Sequence, residues 1–301
     1  MNALLYGVTV LIWGTTWLAI KWQLGVVPPP VSIAYRFGIA SIVLFLILLV
    51  MRRQLWPPRA AWPYLLAQGV ALFCCNFLCF YYAERTVPSG MVAVIFSIAP
   101  ILNSINGRLF LGRPLQPVVV LGSLVGLAGI FCLFLPELTH VLPGQGGSLP
   151  GLLIALLGTL CFSTGSLLSS RMQAIGLHPL LTNSWAMLIG AGVLAAGSAL
   201  AGLSFVPEPS ARYIGALLYL AVPGSVIGFT AYLMLVGRIG PERAAYCTVL
   251  FPIVALTVST IFEGYQWTLL AAAGIVLILL GNVIAFSGNG KVRVSPRRAP
   301  S

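Results

Sequence analysis

Ala3 to Met51 reads ALLYGVTVLIWGTTWLAIKWQLGVVPPPVSIAYRFGIASIVLFLILLVM. Two apolar runs of 21 residues, Ala3 to Gln23 and Val31 to Met51, flank Pro28-Pro29-Pro30. A bilayer core of about 30 Å takes roughly 20 helical residues at about 1.5 Å each. Each run is therefore predicted to be one membrane-spanning helix, with the prolines forming the turn between them. The ten-residue alternation of a barrel strand is missing, and lipid admits only helices or closed barrels.

The same arithmetic extends over all 301 residues, which are 59% hydrophobic and 7% charged, with a mean hydropathy of +1.02. Too few polar side chains exist to cover a soluble globule, which excludes a water-soluble enzyme. The 32 Gly and 21 Pro are scattered, and six Cys without CxxC or CxxxH spacing make neither a disulfide scaffold nor a metal site. Eight further spans follow: Trp62 to Ala83, Pro88 to Gly107, Pro117 to Leu135, Gly151 to Met172, Pro179 to Ala201, Arg212 to Val236, Glu242 to Phe262 and Trp267 to Ser287. The predicted fold is an all-α integral membrane protein of ten transmembrane helices.

The net charge of +11 is a topological signal. One set of connections, with the tail, carries Arg52, Arg53, Arg59, Arg108, Arg113, Arg171, Arg238, Arg243, Lys291, Arg293, Arg297 and Arg298. The other carries Arg85 and Arg212. The richer side is predicted to be cytoplasmic, with both termini there, in a cytoplasmic membrane of bacterial type. The first span has no basic leader and no A-x-A site, so it is expected to stay rather than be cleaved. The Arg residues do not form a solvated groove between aromatics, so the expected partner is the lipid bilayer and not nucleic acid.

Pro136 to Pro150 divides the spans five and five, and an odd number per half makes any internal repeat inverted across the membrane. Pro100 and Pro252, Gly112 and Gly264, Gly122 and Gly274, and Gly129 and Gly281 are each 152 residues apart, while Thr15 and Thr164, like Pro30 and Pro179, are 149 apart. The expected organisation is two inverted five-helix repeats, 1–137 and 151–288, an external linker 138–150 and a basic cytoplasmic tail 289–301.

Trp13-Gly14-Thr15-Thr16-Trp17 with Lys21, then Pro30 through Arg36, then Tyr81-Tyr82-Ala83 and a helix running to Ala99-Pro100, resemble the first half of an EamA-type protein of the drug/metabolite transporter superfamily. Gly122/Gly129 and Gly274/Gly281 resemble the end of each half. The likeness runs from Leu4 to about Phe286. It implies ten helices in two inverted repeats around a central pathway, in a superfamily whose members include exporters of amino acids and other metabolites. The chain departs from that pattern at Arg113, where the family often has Glu; Glu263 stands two positions from the matching slot in the second half.

A carried solute must meet groups near the midplane, where Pro or Gly frees backbone groups. Pro100, Pro223-Gly224 and Pro252 are placed mid-span, as hinges or as kinks that help helices pack. Trp13, Thr16 and Trp17 share one helical face by i, i+3, i+4 spacing. Phe162, Ser163 and Thr164 stand in the matching span six. An indole face with hydroxyls suits a zwitterion with an apolar or aromatic side chain; the other reading puts Trp13 in the core and Trp17 in the interfacial belt. Asn76 and Phe80 are spaced i, i+4, with Glu84 a turn further out, and serve a pathway or glue helices together. Ser97, Trp185 and Tyr246 are further candidates of the same kind.

Arg36 is a charge inside an apolar span, so it faces the bundle interior or snorkels. With Lys21 and Glu84 at similar height it is expected to form an external charge cluster that closes the pathway or attracts a carboxylate. Asp is absent, and the five Glu are placed at helix ends or in loops, which points to facilitated diffusion or exchange rather than a carboxylate-based proton antiporter. The combined expectation is a secondary transporter exporting small metabolites, amino acids foremost, by alternating access, with no cofactor. Efflux of a drug or organic cation is the neighbouring reading. An intramembrane enzyme lacks its HExxH or Ser/His constellation, and a channel lacks a carbonyl filter or charge ring. The glycines of spans five and ten suit close helix approach at the bundle periphery and leave a homodimer open.

Overall fold

A computed structural model of the chain describes residues 2–112, 117–139, 149–245 and 247–288. Arg113, Tyr246, the tail 289–301 and most of the 138–150 linker lie outside the described residues. Every regular element among those described is helical. Helix α1 (Asn2–Gln23) leads through the proline turn to α2 (Pro29–Val50), whose first turn holds Pro29 and Pro30, where a missing N–H leaves no bond unmade.

The third span runs through α3 (Trp62–Gln68), a π-helical stretch Gly69–Cys75 and α4 (Asn76–Ala83). Then come α5 (Ser89–Phe96), α6 (Ala99–Leu111), α7 (Pro117–Thr139), α8 (Leu149–Ala174) and α9 (Pro179–Leu200). The eighth span is built like the third: α10 (Ala211–Tyr219), a π-helical stretch Leu220–Ile227 and α11 (Gly228–Ile239). The short α12 (Pro241–Ala244), then α13 (Cys247–Phe262) and α14 (Leu269–Gly288), complete the chain. Seven helical segments are long and apolar enough to cross a bilayer; Val120–Cys132, Leu250–Phe262 and Leu269–Ile284 are shorter apolar helices. Each of the ten apolar runs falls on one of these segments.

The helices differ from uninterrupted spans where proline intervenes. Pro100 does not sit in the middle of a continuous helix: the fourth span breaks at Ser97–Ile98, and Pro100 falls in the first turn of α6. In a first turn its missing N–H leaves no helical bond unmade, and Ser97 Oγ donates back to the Val94 carbonyl at 2.6 Å. Pro223 lies inside the second π stretch, where Ser225 Oγ donates to the Leu220 carbonyl at 2.8 Å. Pro252 lies within α13.

Packing brings the two halves together through matching partners. Helix α2 lies on α9, and α7 on α14. Helix α1 lies against α11 and α13, as α8 lies against α4 and α6. The π stretch of the third span packs on α9 and that of the eighth on α2. At the α7–α14 seam, a Cβ on Gly129 would sit 2.6 Å from the Gly274 carbonyl oxygen, and one on Gly281 would sit 2.5 Å from that of Gly122. Backbone approaches backbone at both positions, with the Ile278 side chain beside Gly129. The outer faces of this pair expose Leu121, Leu124, Phe131, Leu269 and Leu280.

Candidate functional site

Aromatic side chains from both halves converge on one buried point. Trp13 of α1 packs its indole against Phe162 of α8 (6.0 Å between centroids), Phe229 (4.5 Å) and Tyr232 (5.1 Å) of α11, and Phe251 of α13 (5.9 Å). One turn along, Trp17 meets Phe80 of α4 (5.1 Å) and Phe96 of α5 (5.5 Å). Edge-on and tilted contacts of this kind are the favoured aromatic geometries and fix each ring's orientation. The Trp13 indole N–H donates to the Gly224 carbonyl at 2.9 Å, a carbonyl in the π stretch that holds Pro223.

Several of these rings border a cavity of about 30 Å³, lined by Trp13, Thr16, Trp17, Ile20, Arg36, Asn76, Phe77, Phe80, Phe96, Phe162 and Phe229. That is room for about two waters. Arg36 is 2% exposed, so it faces the interior and does not snorkel. Its Nε donates to Ser225 Oγ at 3.0 Å, and its guanidinium lies over the Phe77 ring at 4.4 Å and the Phe37 ring at 5.1 Å. Three lining residues hold buried polar atoms without a hydrogen-bond partner: Arg36 Nη1, Trp17 Nε1 and Asn76 Oδ1. Asn76 spends its Nδ2 on the Leu72 carbonyl at 3.2 Å, leaving its oxygen over. The lining contains no carboxylate. Two donors, one of them a permanent cation, and one acceptor within aromatic walls match a carboxylate that carries a donor group nearby.

Lys21, one turn beyond Trp17, donates from Nζ to the Glu84 main-chain carbonyl at 2.5 Å. Glu84 caps the C-terminus of α4, the residue after the end of the third span, and its side chain is fully buried with neither oxygen hydrogen-bonded. Burial holds its carboxyl well above the usual carboxylate range; Lys21 opposes this, Glu263 adds to it and Arg36 opposes it. Lys21 also lines a second cavity of about 450 Å³, with Trp22, Arg85, Arg212, Phe262 and Glu263. Glu263 accepts from the Ser89 backbone N–H at 3.4 Å and from the Ser89 hydroxyl, tying the end of α13 to the start of α5.

Of the residues singled out in the sequence, Trp13, Thr16, Trp17, Asn76, Phe80, Phe162 and Arg36 thus lie together, and Gly224 supplies a carbonyl to them. Others lie elsewhere. Ser163 accepts from Asn106 Nδ2 at 2.8 Å, and Thr164 bonds back to the Leu160 carbonyl at 3.0 Å. Ser97 is spent on its own helix. Trp185 sits away from the cavity, ringed by Phe45, Trp56 and Trp62 at 5.0 to 5.3 Å, with its N–H on the Leu55 carbonyl at 2.7 Å. Tyr246 lies outside the described residues. Sequence reasoning passed over Ile20, Phe77, Phe96 and Phe229. For one pair a signal existed: Phe77 and Phe229 are 152 residues apart, and their rings meet at 5.9 Å. Trp13 and Phe162, which also touch, are 149 apart.

Comparison with known proteins agrees with this picture. Residues 1–135 and 149–287 match the model of the EamA-like transporter family. The chain is 28% identical over 286 residues to the uncharacterized inner membrane transporter YedA of Escherichia coli K12, covering 91% of this chain and 89% of that protein. It is 24% identical to the protein PagO of Salmonella typhimurium, over 87% and 85% of the two chains, and 25% identical to the uncharacterized transporter YvbV of Bacillus subtilis, over 92% and 89%. A solved crystal structure, 22% identical, shares the fold with a TM-score of 0.66 over 94% of this chain and 96% of that one. This chain, helical in every described element and with apolar spans around a central aromatic cavity, belongs to the EamA-like transporter family.

Proposed function

We propose that this membrane transporter exports amino acids with apolar or aromatic side chains, by alternating access between two inverted five-helix repeats. The observation that carries the substrate reading is Arg36: a fully buried guanidinium in an aromatic cavity, with one nitrogen left without a partner beside the unpartnered Trp17 N–H and Asn76 oxygen. A buried charge is costly unless paired. A solute carboxylate pairs it, Asn76 Oδ1 accepts from the ammonium, and the rings of Phe80, Phe96 and Phe162 receive the side chain. An organic cation finds no carboxylate in the lining and meets Arg36 as a like charge, which weighs against drug-cation efflux.

Support for the repeat comes from reciprocity. Two separate stretches of the chain match one family model. Contacts come in exchanged pairs, Gly129 on Gly274 and Gly281 on Gly122, as two-fold-related halves require. Trp13 with Phe162 and Phe77 with Phe229, 149 and 152 residues apart, also touch, which supports a repeat axis near the cavity. The count of Lys and Arg supports an orientation with the Lys21 end outside and both termini in the cytoplasm.

The test is a panel of radiolabelled amino acids, sugars, nucleosides and a quaternary ammonium dye in liposomes holding the purified protein. Saturable phenylalanine or leucine flux with counterflow is expected. Saturable flux of the dye alone, or single-channel currents, would replace this reading.

A further inference from the structure

Glu84 is a buried acid that neither the family match nor the cavity chemistry uses. It continues the α4 face that carries Asn76 and Phe80 into the central cavity, by i, i+4 steps. Two cations act on its carboxyl: Arg36, which lines that cavity, and Lys21, which bonds the Glu84 main-chain carbonyl and lines the larger cavity by Arg85, Arg212 and Glu263. Both its oxygens lack a hydrogen-bond partner, although the residue is fully buried. An ionised carboxylate held that way would be strongly disfavoured, and a protonated one still has lone pairs and a hydroxyl to place.

We propose that Glu84 is a proton-binding site that competes with the transported carboxylate for Arg36, so that solute and proton are bound together. This rests on the carboxylate reading of the cavity given above. The charged and titratable groups facing Glu84 are Lys21 from α1, Arg36 from α2, Tyr81 from α4 itself and Glu263 at the end of α13. Helix α8, which also packs on α4, sets Gly151 against Ala83, Thr86 and Val87 near Glu84, and Gly158 against Cys79 and Phe80 further along, where Cys161 faces Cys79. With the cavity empty, Arg36 and Lys21 both favour the Glu84 carboxylate. When a solute carboxylate engages Arg36, that guanidinium is neutralised and Glu84 loses part of its countercharge. It then takes a proton from solvent, by way of the Lys21 cavity. The reciprocal effect follows from linkage: protonating Glu84 frees Arg36, so a carboxylate solute binds more tightly as the pH falls through the Glu84 titration. The loaded carrier thus moves one carboxylate with one proton in the same direction, so export is driven by the outward solute gradient and is opposed by an inward proton gradient.

The experiment is an infrared titration of the purified protein in lipid, with the wild-type spectrum differenced against Glu84→Gln to isolate one carboxyl band. Expected is a midpoint above the ordinary carboxylate range that rises further in Arg36→Gln and, as a milder second variant, in Lys21→Gln. Adding L-phenylalanine is expected to raise the wild-type midpoint and to draw protons from a weakly buffered medium, with no proton uptake attributable to binding in Glu84→Gln. Each unit of midpoint shift corresponds to up to about tenfold tighter phenylalanine binding on the acid side, flat with pH in Glu84→Gln. A midpoint in the ordinary range that ignores both cation variants overturns the proposal, as does equal proton uptake by wild type and Glu84→Gln. If L-phenylalanine fails to bind the wild type at all, the substrate reading falls, and the response of the midpoint to Arg36→Gln and Lys21→Gln decides the Glu84 site on its own.

Discussion

The indole N–H of Trp13 donates to the main-chain carbonyl of Gly224 at 2.9 Å, joining α1 in the first half to the π stretch in the second. Trp13→Phe keeps most of the ring contact and deletes this bond, leaving the Gly224 carbonyl unpaired at a cost of about 1–3 kcal/mol. Lower thermal stability in detergent is expected, with the fold kept. An unchanged melting temperature would mean that the carbonyl finds another partner.

Gly228 approaches that same indole so closely that a Cβ would overlap the Trp13 nitrogen. Gly228→Ala gains about 1 kcal/mol of helix propensity yet must push the ring off the Gly224 carbonyl and into a cavity with little spare room. We expect a folded protein with depressed transport. Wild-type flux from Gly228→Ala would show that Trp13 is free to move.

At the α7–α14 crossing, Gly129→Val or Gly281→Val forces side-chain atoms into the opposing backbone. Overpacking of this kind costs about 1–3 kcal/mol. Gly192→Val and Gly197→Val provide the comparison, since a Cβ there meets nothing within 4 Å. The seam variants should melt earlier than these two; equal melting would locate the tight packing elsewhere.

Arg36→Lys retains a charge and loses the planar fork that reaches Ser225 while lying over Phe77. Phenylalanine binding should weaken by more than about tenfold, more than one charge-assisted hydrogen bond's lower limit of about 1.5 kcal/mol, while phenylalaninamide, which has no carboxylate, changes little. Equal losses for both ligands would assign Arg36 a structural role instead.

How much of this could be read beforehand differs by residue. Trp13, Thr16 and Trp17 were legible because helical spacing puts them on one face, and Arg36 because a charge in an apolar run has few places to go. The placement of Trp185 was not: what catches it are Trp56 and Trp62, from the proline-rich turn and the start of the third span, and an aromatic in an apolar run carries no mark of which neighbour it will meet. Phe96 is silent for the same reason. The two π stretches leave no trace in composition, since an extra backbone residue per turn is a matter of register. Glu84 reads as an end-of-helix acid, ordinarily solvated; its burial comes from what packs around the helix end.

His178 caps α9 by accepting from the Leu180 N–H at 3.2 Å through Nδ1, which it can do only while neutral there. Burial, with Arg53 adding to it, lowers its basicity from the ordinary 6.5. The unfolded chain therefore binds the proton more readily, and the cap's contribution is present above pH 6.5 and lost progressively as the pH falls from there through the lower folded value. Melting between pH 7.5 and 5 should show a fall that His178→Asn, a cap that does not titrate in this range, reduces. Identical pH profiles for the two proteins would remove His178 from acid sensitivity.

The small size of the central cavity also bears on how any measured affinity is to be understood. With about 30 Å³ of free space, this arrangement of helices has no volume for phenylalanine, so the solute selects a different, roomier member of the ensemble. If that member makes up one part in a hundred of the unliganded population, the observed dissociation constant is about a hundredfold weaker than the contacts alone would give. Modest affinity in such a carrier then reports mainly how seldom it opens, and a substitution that props the rings apart would tighten binding without adding a single contact to the solute.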